Sequence, residues 1–190
     1  MRSIEEVFHD RTCRKFLSRP VDKDLLIKIY DLAKLGPTSG NSSPLRIVFV
    51  QSDVEKDKLY KCLDKGNIEQ TKSAPVIALF AYDEKFYENM EKVNPFAPTL
   101  IKYFASSQEV ALDTAIRNST LQAAYFMLAA RGVGLACGPM SGFNKEAIEK
   151  AFLANTNFKI NFICNLGYAD GANAHSRLPR WKFDEVCKIV

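Results

Sequence analysis

The hydrophobic and polar positions of this 190-residue chain follow two different periods, which predicts both helices and strands. Leu25, Ile29 and Leu32 recur at helical spacing and share one face. Asp22 is suited to cap this helix and Gly36 to end it. Three segments rich in apolar residues predict buried strands, namely residues 45–50, residues 74–82 and part of residues 158–168.

A long helix is the strongest periodic feature of the second half of the chain. Ser106 and Glu109 match a capping box that opens it, and it continues to about Ala130. Its second half is apolar nearly all round, which predicts a central, buried helix. The aromatic- and proline-rich residues 83–106 before it are interpreted as a loose helical excursion or lid, and the glycine-rich residues 132–143 after it as a loop.

The order of these elements indicates the fold class. Shorter helices are predicted over residues 3–8, 53–63 and 144–152. Three strands and four or five helices that do not strictly alternate favour an α+β fold over a doubly wound parallel sheet. We find no internal repeat and no linker-like stretch, so the sequence predicts a single domain over residues 1–190.

Composition excludes several classes of protein. An apolar share of 47% is ordinary for a globular core and too high for a disordered chain. A net charge of +4 is mildly basic, without the Lys/Arg density typical of a nucleic-acid binder. The longest mostly apolar run, which begins at Leu121, contains Gln122 and Arg131 and is too short to cross a bilayer. We therefore expect no nucleic-acid partner and no membrane span.

The cysteines and the N-terminus predict a cytoplasmic protein. Five cysteines are spread along the chain without a CxxC pair, which favours reduced thiols over a zinc site or a dithiol redox centre. The N-terminal segment MRSIEEVFHDR carries acidic residues where a signal peptide needs an apolar core.

Common catalytic motifs are missing. The run GVGLACG has Cys137 where a dinucleotide fingerprint needs its third glycine. No GxxxxGK[ST] loop and no GxSxG elbow occur. His9 and His175 lie far apart in the sequence, and no HExxH is present. A hydrolytic triad and a metal site are therefore poorly supported, and we assign no metal ligand and no catalytic acid or base.

Four polar or glycine-rich segments remain: RTCRKF, GPTSGNSSP, GPMSGF and HSRLPR. The first and last carry clustered cations, and the middle two carry small residues with accessible backbone donors. A flavin mononucleotide needs this mixture, because its phosphate binds arginine and backbone N–H groups and its ring needs donors at the edge and a close-lying backbone. Taken alone, GPTSGNSSP also fits a plain solvated turn.

The order and spacing of five motifs resemble the nitroreductase family of FMN-dependent flavoproteins. The motifs are GPTSGNSSP before a strand, IRNSTLQAAY, GPMSGF, NFICNLGY and SRLPR. Within the family they are most similar to the malonic semialdehyde reductases, or 3-hydroxypropanoate dehydrogenases. The resemblance covers nearly the whole chain and implies a nitroreductase-like fold, with a central mixed or antiparallel sheet flanked by helices.

The resemblance also implies which N-terminal residues bind the cofactor. They are Arg11, Thr12, Cys13 and Lys15 for the phosphate and ring edge, Asn67 and Gln70 for the ring edge, and Thr38, Ser39 and Asn41, which in the family reach the flavin from the other subunit of a homodimer. Cys13 stands where serine is common, so the family's hydroxyl contact is replaced by a backbone contact. Arg14 has no matched role.

The second half of the chain completes the predicted site. The segment beside the ring maps to Pro139, Met140, Ser141 and Gly142, and the C-terminal phosphate contacts map to His175 and Arg177. The implied reaction passes a hydride from NADH or NADPH through FMN to a small acceptor such as malonic semialdehyde. The alternatives are a nitroaromatic or quinone reductase and, in another class, a flavin-binding carrier or sensor without turnover.

Overall fold

The computed structural model describes residues 1–171 and 177–190. Within them the chain forms four strands, namely β1 (Leu45–Val50), β2 (Val76–Asp83), β3 (Ala136–Met140) and β4 (Phe158–Gly167). The helices of the same residues are α1 (Ile4–His9), α2 (Lys23–Ala33), α3 (Asp53–Tyr60), α4 (Lys65–Lys72), α5 (Pro98–Ala105), α6 (Gln108–Gly132), α7 (Lys145–Phe152) and α8 (Phe183–Val186).

The four strands form one antiparallel sheet in the order β1-β2-β4-β3. The prediction of an α+β fold with a central sheet is confirmed, and the sheet is antiparallel throughout rather than mixed. β2 is buried along nearly its whole length because it lies between β1 and β4. β1 is only half-buried except at Val50, since it is an edge strand with one neighbour.

β3 corrects the interpretation of residues 132–143 as a loop. Ala136–Met140 is the second edge strand and pairs with β4 from Ala136↔Gly167 to Met140↔Ile163. Gly138 and Pro139 make this strand difficult to predict from the sequence, because both residue types are unfavourable inside a sheet. An edge strand tolerates proline, since the missing N–H costs no ladder bond on its open side. α4 was also not predicted, because its sequence KGNIEQTK has little apolar periodicity.

Helix α6 is the long helix predicted from the sequence, with a different first residue. Ser107, not Ser106, caps it, because Ser107 Oγ accepts the N–H of Val110 at 3.4 Å. Ser106 instead ends α5, where its hydroxyl donates to the carbonyl of Tyr103 at 2.7 Å. Within residues 121–130, in the second half of α6, all positions are buried or half-buried except Leu121, which is 42% exposed. Asp22 caps α2 as predicted by position, without a side-chain hydrogen bond.

The sheet separates two hydrophobic clusters. On one face α2 and α6 pack against β2 and β4, and Phe126 of α6 lies 5.5 Å from Phe80 of β2, ring centre to ring centre. On the other face α3 and α7 bury Leu59 and Ile148 against the sheet. These opposite inward faces follow from the alternation of side chains along each strand.

The predicted excursion over residues 83–106 is helical. It consists of a 3₁₀ segment, Phe86–Lys92, followed by α5. A third cluster fixes it to α6, because Phe86, Met90 and Phe104 pack against the start of that helix. In the described part of the chain, no helix is long and apolar enough to cross a membrane.

Candidate functional site

The N-terminal cofactor segment lies along the open edge of the sheet. The N–H of Cys13 donates to the carbonyl of Cys137 in β3 at 2.9 Å. Further along, Phe16 forms an antiparallel bridge with Ala169, and the N–H of Leu17 donates to Tyr168 at 2.8 Å. Residues 13–17 thus form a short extension of the sheet, with the exposed side chain of Thr12 just before it.

Cys13 is turned into the protein. Its thiol donates to the carbonyl of Lys15 at 3.0 Å, and the residue is 6% exposed beside Phe16 and Ala74. Burial raises the pKa of the thiol, and the hydrogen bond to Lys15 only partly opposes this effect. Both the N–H and the S–H of Cys13 therefore already have acceptors within the chain.

Lys15 carries one of the exposed cations of this segment. Its ammonium lies 3.0 Å from Oδ2 of Asp170, just beyond the end of β4. The backbone N–H of Asp170 also donates to the carbonyl of Lys15, at 3.3 Å. The lysine side chain is 69% exposed and the aspartate only 14%. The carboxylate is therefore the fixed partner and the lysine the one that faces outward.

Cations gather near the start of β3. Arg11 lines a small cavity of about 150 Å³ together with Arg2 and Asp10, which form a double ion pair. Arg177 approaches from the C-terminal segment and donates to the carbonyl of His9 at 2.6 Å. The structure thus brings Arg11 and Arg177 to neighbouring points of the chain. His175, the second predicted C-terminal contact, lies outside the described residues.

Helix α4 supports the segment that follows β3. Asn67 Nδ2 donates to the carbonyl of Gly142 at 2.8 Å, and Gln70 Nε2 donates to Asn67 Oδ1 at 2.6 Å. Gln70 also reaches the sulfur of Met140 at 3.9 Å. Pro139 and Met140 are half-buried at the end of the strand, and Ser141 is exposed. The structure therefore brings Asn67 and Gln70 together with Met140 and Gly142 of the segment 139–142.

The small-residue loop, residues 36–44, lies in a different part of the protein, beside α6 and the 3₁₀ segment. The N–H of Ser39 donates to Asn118 Oδ1 of α6 at 2.8 Å, and Asn41 Nδ2 donates to the carbonyl of Val93 at 2.6 Å. Thr38 Oγ1 accepts the N–H of Ser43 at 3.2 Å and closes the loop on itself. These contacts go to α6 and to the 3₁₀ region, not to β3.

The backbone of this loop explains its composition. Gly40, Asn41 and Ser43 have φ angles of 55°, 53° and 43°, in the left-handed region that glycine and asparagine adopt most readily. Gly36, where the chain leaves α2, lies against the ring of Tyr125, which a Cβ at this position would overlap. Gly36 is therefore required because the ring of Tyr125 leaves no room for a side chain, not because the backbone must be flexible there.

Two residues of α6 position the loop and were not predicted. Asn118 is 2% exposed and holds Ser39, while Gln122 is 8% exposed and accepts the N–H of Leu45 at 3.0 Å. Both lie in the motif IRNSTLQAAY. Amide side chains on the buried side of a helix were the feature of the sequence that could have indicated this role. A buried amide in such a helix needs a partner, and here the partner is the loop backbone.

An open groove of about 760 Å³ lies where β1 begins and β2 ends, and Asn41 lines one side of it. Its wall contains an ion pair, Arg46 Nη2 to Asp83 Oδ2 at 2.8 Å, in which the aspartate side chain is 6% exposed. Arg46 Nη1 also donates to the carbonyl of Ser43 at 3.0 Å. The pair thus ties the end of the loop to the end of β2.

The two groups of predicted residues belong to opposite edges of the sheet. Residues 38–41 precede β1, whereas residues 11–15, 67–70 and 139–142 surround β3. Three strand spacings separate β1 from β3, which amounts to about 14 Å. One chain therefore presents two separate groups of predicted residues, a β3 half-site (residues 11–15, 67–70 and 139–142) and a loop half-site (residues 38–41).

The donors of the β3 half-site fit a flavin mononucleotide. Two guanidinium groups suit a phosphate, an ammonium suits the electron-rich ring edge, and amides suit the carbonyl and N–H groups of the ring. Among residues 1–171 and 177–190, no three His, Cys, Asp or Glu side chains are grouped to hold a metal ion.

Comparison with known sequences decides the family. The profile of the Nitroreductase family matches residues 10–168, which is most of the chain. The chain belongs to the nitroreductase family. This agrees with the family-level resemblance seen in the motifs, whereas the malonic semialdehyde reductase subgroup receives no support from these comparisons.

Relatives within the nitroreductase family match over nearly their full length. A Ralstonia nicotianae protein with the provisional name NADH dehydrogenase/NAD(P)H nitroreductase is 42% identical over 188 residues, covering 98% of this chain and 96% of its own. A Polynucleobacter asymbioticus protein of the same provisional name is 44% identical over 190 residues, covering 100% and 96%.

Solved nitroreductase structures share the fold. One from Exiguobacterium sibiricum, described as a nitroreductase in complex with FMN, superposes with a TM-score of 0.87 over 100% of this chain and 98% of its own, at 18% identity. At that identity the likeness is one of fold.

Proposed function

We propose that this nitroreductase is an FMN-dependent NAD(P)H oxidoreductase that works as a homodimer. The observation that carries the proposal is the division of the predicted residues between the two edges of the sheet. Arg11, Lys15 and Asn67 gather around β3, and Ser39 lies before β1. The FMN-bound relative and the NAD(P)H named for the closer relatives support the choice of cofactor and electron donor.

Each group has a chemical task in this proposal. FMN, when bound, accepts a hydride from NAD(P)H and passes it to the acceptor. Arg11 and Arg177 hold the phosphate, and Lys15 places positive charge at the pyrimidine edge. Asn67 fixes the backbone after β3 so that its N–H groups face the ring. The protein positions the reactants, and no side chain needs to act as an acid or base.

Exposed apolar surface supports the dimer. The described C-terminal residues 177–190 are all exposed, including Leu178, Trp181 and Phe183 at 75%, 77% and 60%. Ile116 and Leu121 of α6 are also 40% and 42% exposed. Large apolar side chains left in water favour burial against a partner, and a second copy would cover them while bringing its loop to the cofactor.

The acceptor is proposed at two levels. The five motifs favour a small aldehyde acid such as malonic semialdehyde. The names of the relatives at 42% and 44% identity favour a nitroaromatic compound or a quinone. Steady-state kcat/KM for malonic semialdehyde, a nitroaromatic compound and a quinone, with NADH and with NADPH, separates these candidates.

The absorption spectrum of the purified protein with added FMN tests the cofactor. We expect bound FMN whose visible bands bleach when NADH or NADPH is added without oxygen. Bound FMN that stays oxidised would instead indicate a carrier or sensor. Arg11→Gln should weaken FMN binding, while Arg14→Gln, which removes a neighbouring exposed cation without an assigned role, serves as the matched control.

Mixed dimers test the shared site. Arg11→Gln damages the β3 half-site, and Gly40→Val damages the loop half-site because φ at that position is 55°. When the two inactive variants are mixed and allowed to exchange subunits, a heterodimer regains one intact site out of two. In an equimolar mixture about half of the dimers become heterodimers, so recovery of FMN binding at about a quarter of all sites is expected. No recovery in verified heterodimers would show that each chain builds its own complete site.

A further inference from the structure

Asp170 is a largely buried carboxylate that the sequence did not assign to the site. It follows β4 and faces Lys15 across the short pairing of residues 15–17 with residues 168–170. Two contacts join the same two residues: the ion pair at 3.0 Å and the backbone hydrogen bond from Asp170 to Lys15 at 3.3 Å. The backbone contact fixes the spacing of the two residues before their side chains meet.

The two side chains of this ion pair differ strongly in their exposure to solvent. Four other lysine–carboxylate pairs of the described residues join positions three apart in the sequence, as Lys58 and Glu55 do with side chains 51% and 41% exposed. In contrast, the Asp170 side chain is 14% exposed and its partner 69%. A mobile four-carbon side chain is thus anchored at its charged end by a fixed carboxylate.

We propose that Asp170 is a positioning residue that sets the reduction potential of the bound flavin through Lys15. This inference rests on the proposed function, since it needs Lys15 at the edge of the ring. Reduction adds negative charge to the flavin, which a nearby ammonium stabilises. A carboxylate 3.0 Å from that ammonium both orients it and offsets part of its charge. The reduced flavin beside this ion pair is therefore a stronger reductant than it would be beside an unpaired Lys15.

The midpoint potential of bound FMN, measured by equilibration with a reference dye, tests the proposal. Asp170→Asn should shift the potential to a more positive value, because the ammonium remains without its offsetting charge. Lys15→Gln should shift it to a more negative value. In the double variant the potential should equal that of Lys15→Gln, because Asp170 acts only through the lysine.

Glu55→Gln is the matched control, since it removes one carboxylate from an exposed lysine pair on α3 and should leave the potential unchanged. If Asp170→Asn does not fold, Asp170→Ser removes the same charge with a smaller side chain. An unchanged or more negative potential in these variants would overturn the proposal, as would an Asp170→Asn shift that persists without Lys15.

The FMN dissociation constant keeps this test separate from the proposed function. Wild-type protein that fails to bind FMN would refute the proposed function itself. Wild-type protein that binds FMN, with variant potentials that do not follow the expected order, would refute only the role of Asp170.

Discussion

Asn118 Oδ1 accepts the backbone N–H of Ser39 at 2.8 Å, which links the buried centre of α6 to the loop that carries a predicted cofactor contact. The same side chain donates to the carbonyl of Thr114 one turn earlier, at 2.9 Å. Asn118 is 2% exposed, so water does not compete for either bond. The long helix is therefore both part of the core and the support of one half-site.

Asn118→Ala should weaken both stability and cofactor binding. It removes two hydrogen bonds of a buried side chain, each worth about 0.5–1.5 kcal/mol and together about 1–3 kcal/mol. If the loop loosens by that amount, FMN should bind roughly tenfold more weakly or worse, since about 1.4 kcal/mol corresponds to a factor of ten. Urea unfolding and fluorescence titration with FMN measure the two effects.

The control for this variant is Asn89→Ala. Asn89 is exposed, and its side chain accepts only a surface lysine contact, Lys92 Nζ at 3.1 Å. Its replacement should leave the free energy of unfolding within about 0.5 kcal/mol of wild type. Equal losses in the two variants would contradict a supporting role for Asn118.

Gly36→Ala should destabilise the protein. The new methyl group would overlap the ring of Tyr125, whose hydroxyl is held by the carbonyl of Pro37 at 3.1 Å. Such overpacking costs about 1–3 kcal/mol. In contrast, a Cβ at Gly66 in α4 meets no atom within 4 Å, so Gly66→Ala should be neutral or stabilising by up to about 1 kcal/mol. Thermal or urea unfolding of both variants shows whether the difference has this sign.

Arg46→Met should reveal the importance of the ion pair in the groove. The change leaves Asp83 buried without its guanidinium partner, which costs about 3 kcal/mol in the free energy of unfolding. The double variant Arg46→Met/Asp83→Leu removes the stranded charge and should be more stable than the single one. A double variant as unstable as the sum of its parts would mean that the pair contributes no coupling, contrary to this prediction.

Stability should fall at alkaline pH because several thiols are buried. Burial raises the pKa of Cys13, Cys62 and Cys164 above the ordinary value of 9.0. Above that pH the unfolded chain releases protons that the folded chain still holds, so the free energy of unfolding decreases as pH rises. Below pH 9.0 the contribution is fully present.

Urea unfolding at about pH 7.5, 8.5 and 9.5, on both sides of the ordinary thiol pKa, measures this decline. Cys62→Ala should make the decline shallower, because one buried thiol no longer titrates. Cys187→Ala is the control, since Cys187 is exposed and its loss should not alter the slope. A slope that Cys62→Ala leaves unchanged would show that this thiol is not responsible.

Much of the fold could be predicted from local sequence. Leu25, Ile29 and Leu32 predicted α2, and the apolar run over residues 74–82 predicted the central strand β2. Both predictions succeed because an element that packs against a core has a regular pattern of apolar residues. The strand β3 was not predicted, because it forms through pairing with the neighbouring β4 and its own sequence, ACGPM, does not favour a strand. Ser107 replaced Ser106 as the cap for a similar reason: the end of α5 decided where α6 begins.

The sequence by itself determined which residue types were available to bind a flavin: arginines, a lysine, amides and a small-residue loop. Tertiary structure decided how they are grouped. Arg11 lies near the start of β3 and Asn67 beyond its end, and Ser39 lies at the opposite edge beside Asn118. The pairing of Lys15 with Asp170 likewise exists only in the folded chain. Residues more than a hundred positions apart become neighbours only through strand order and packing, which no local pattern encodes.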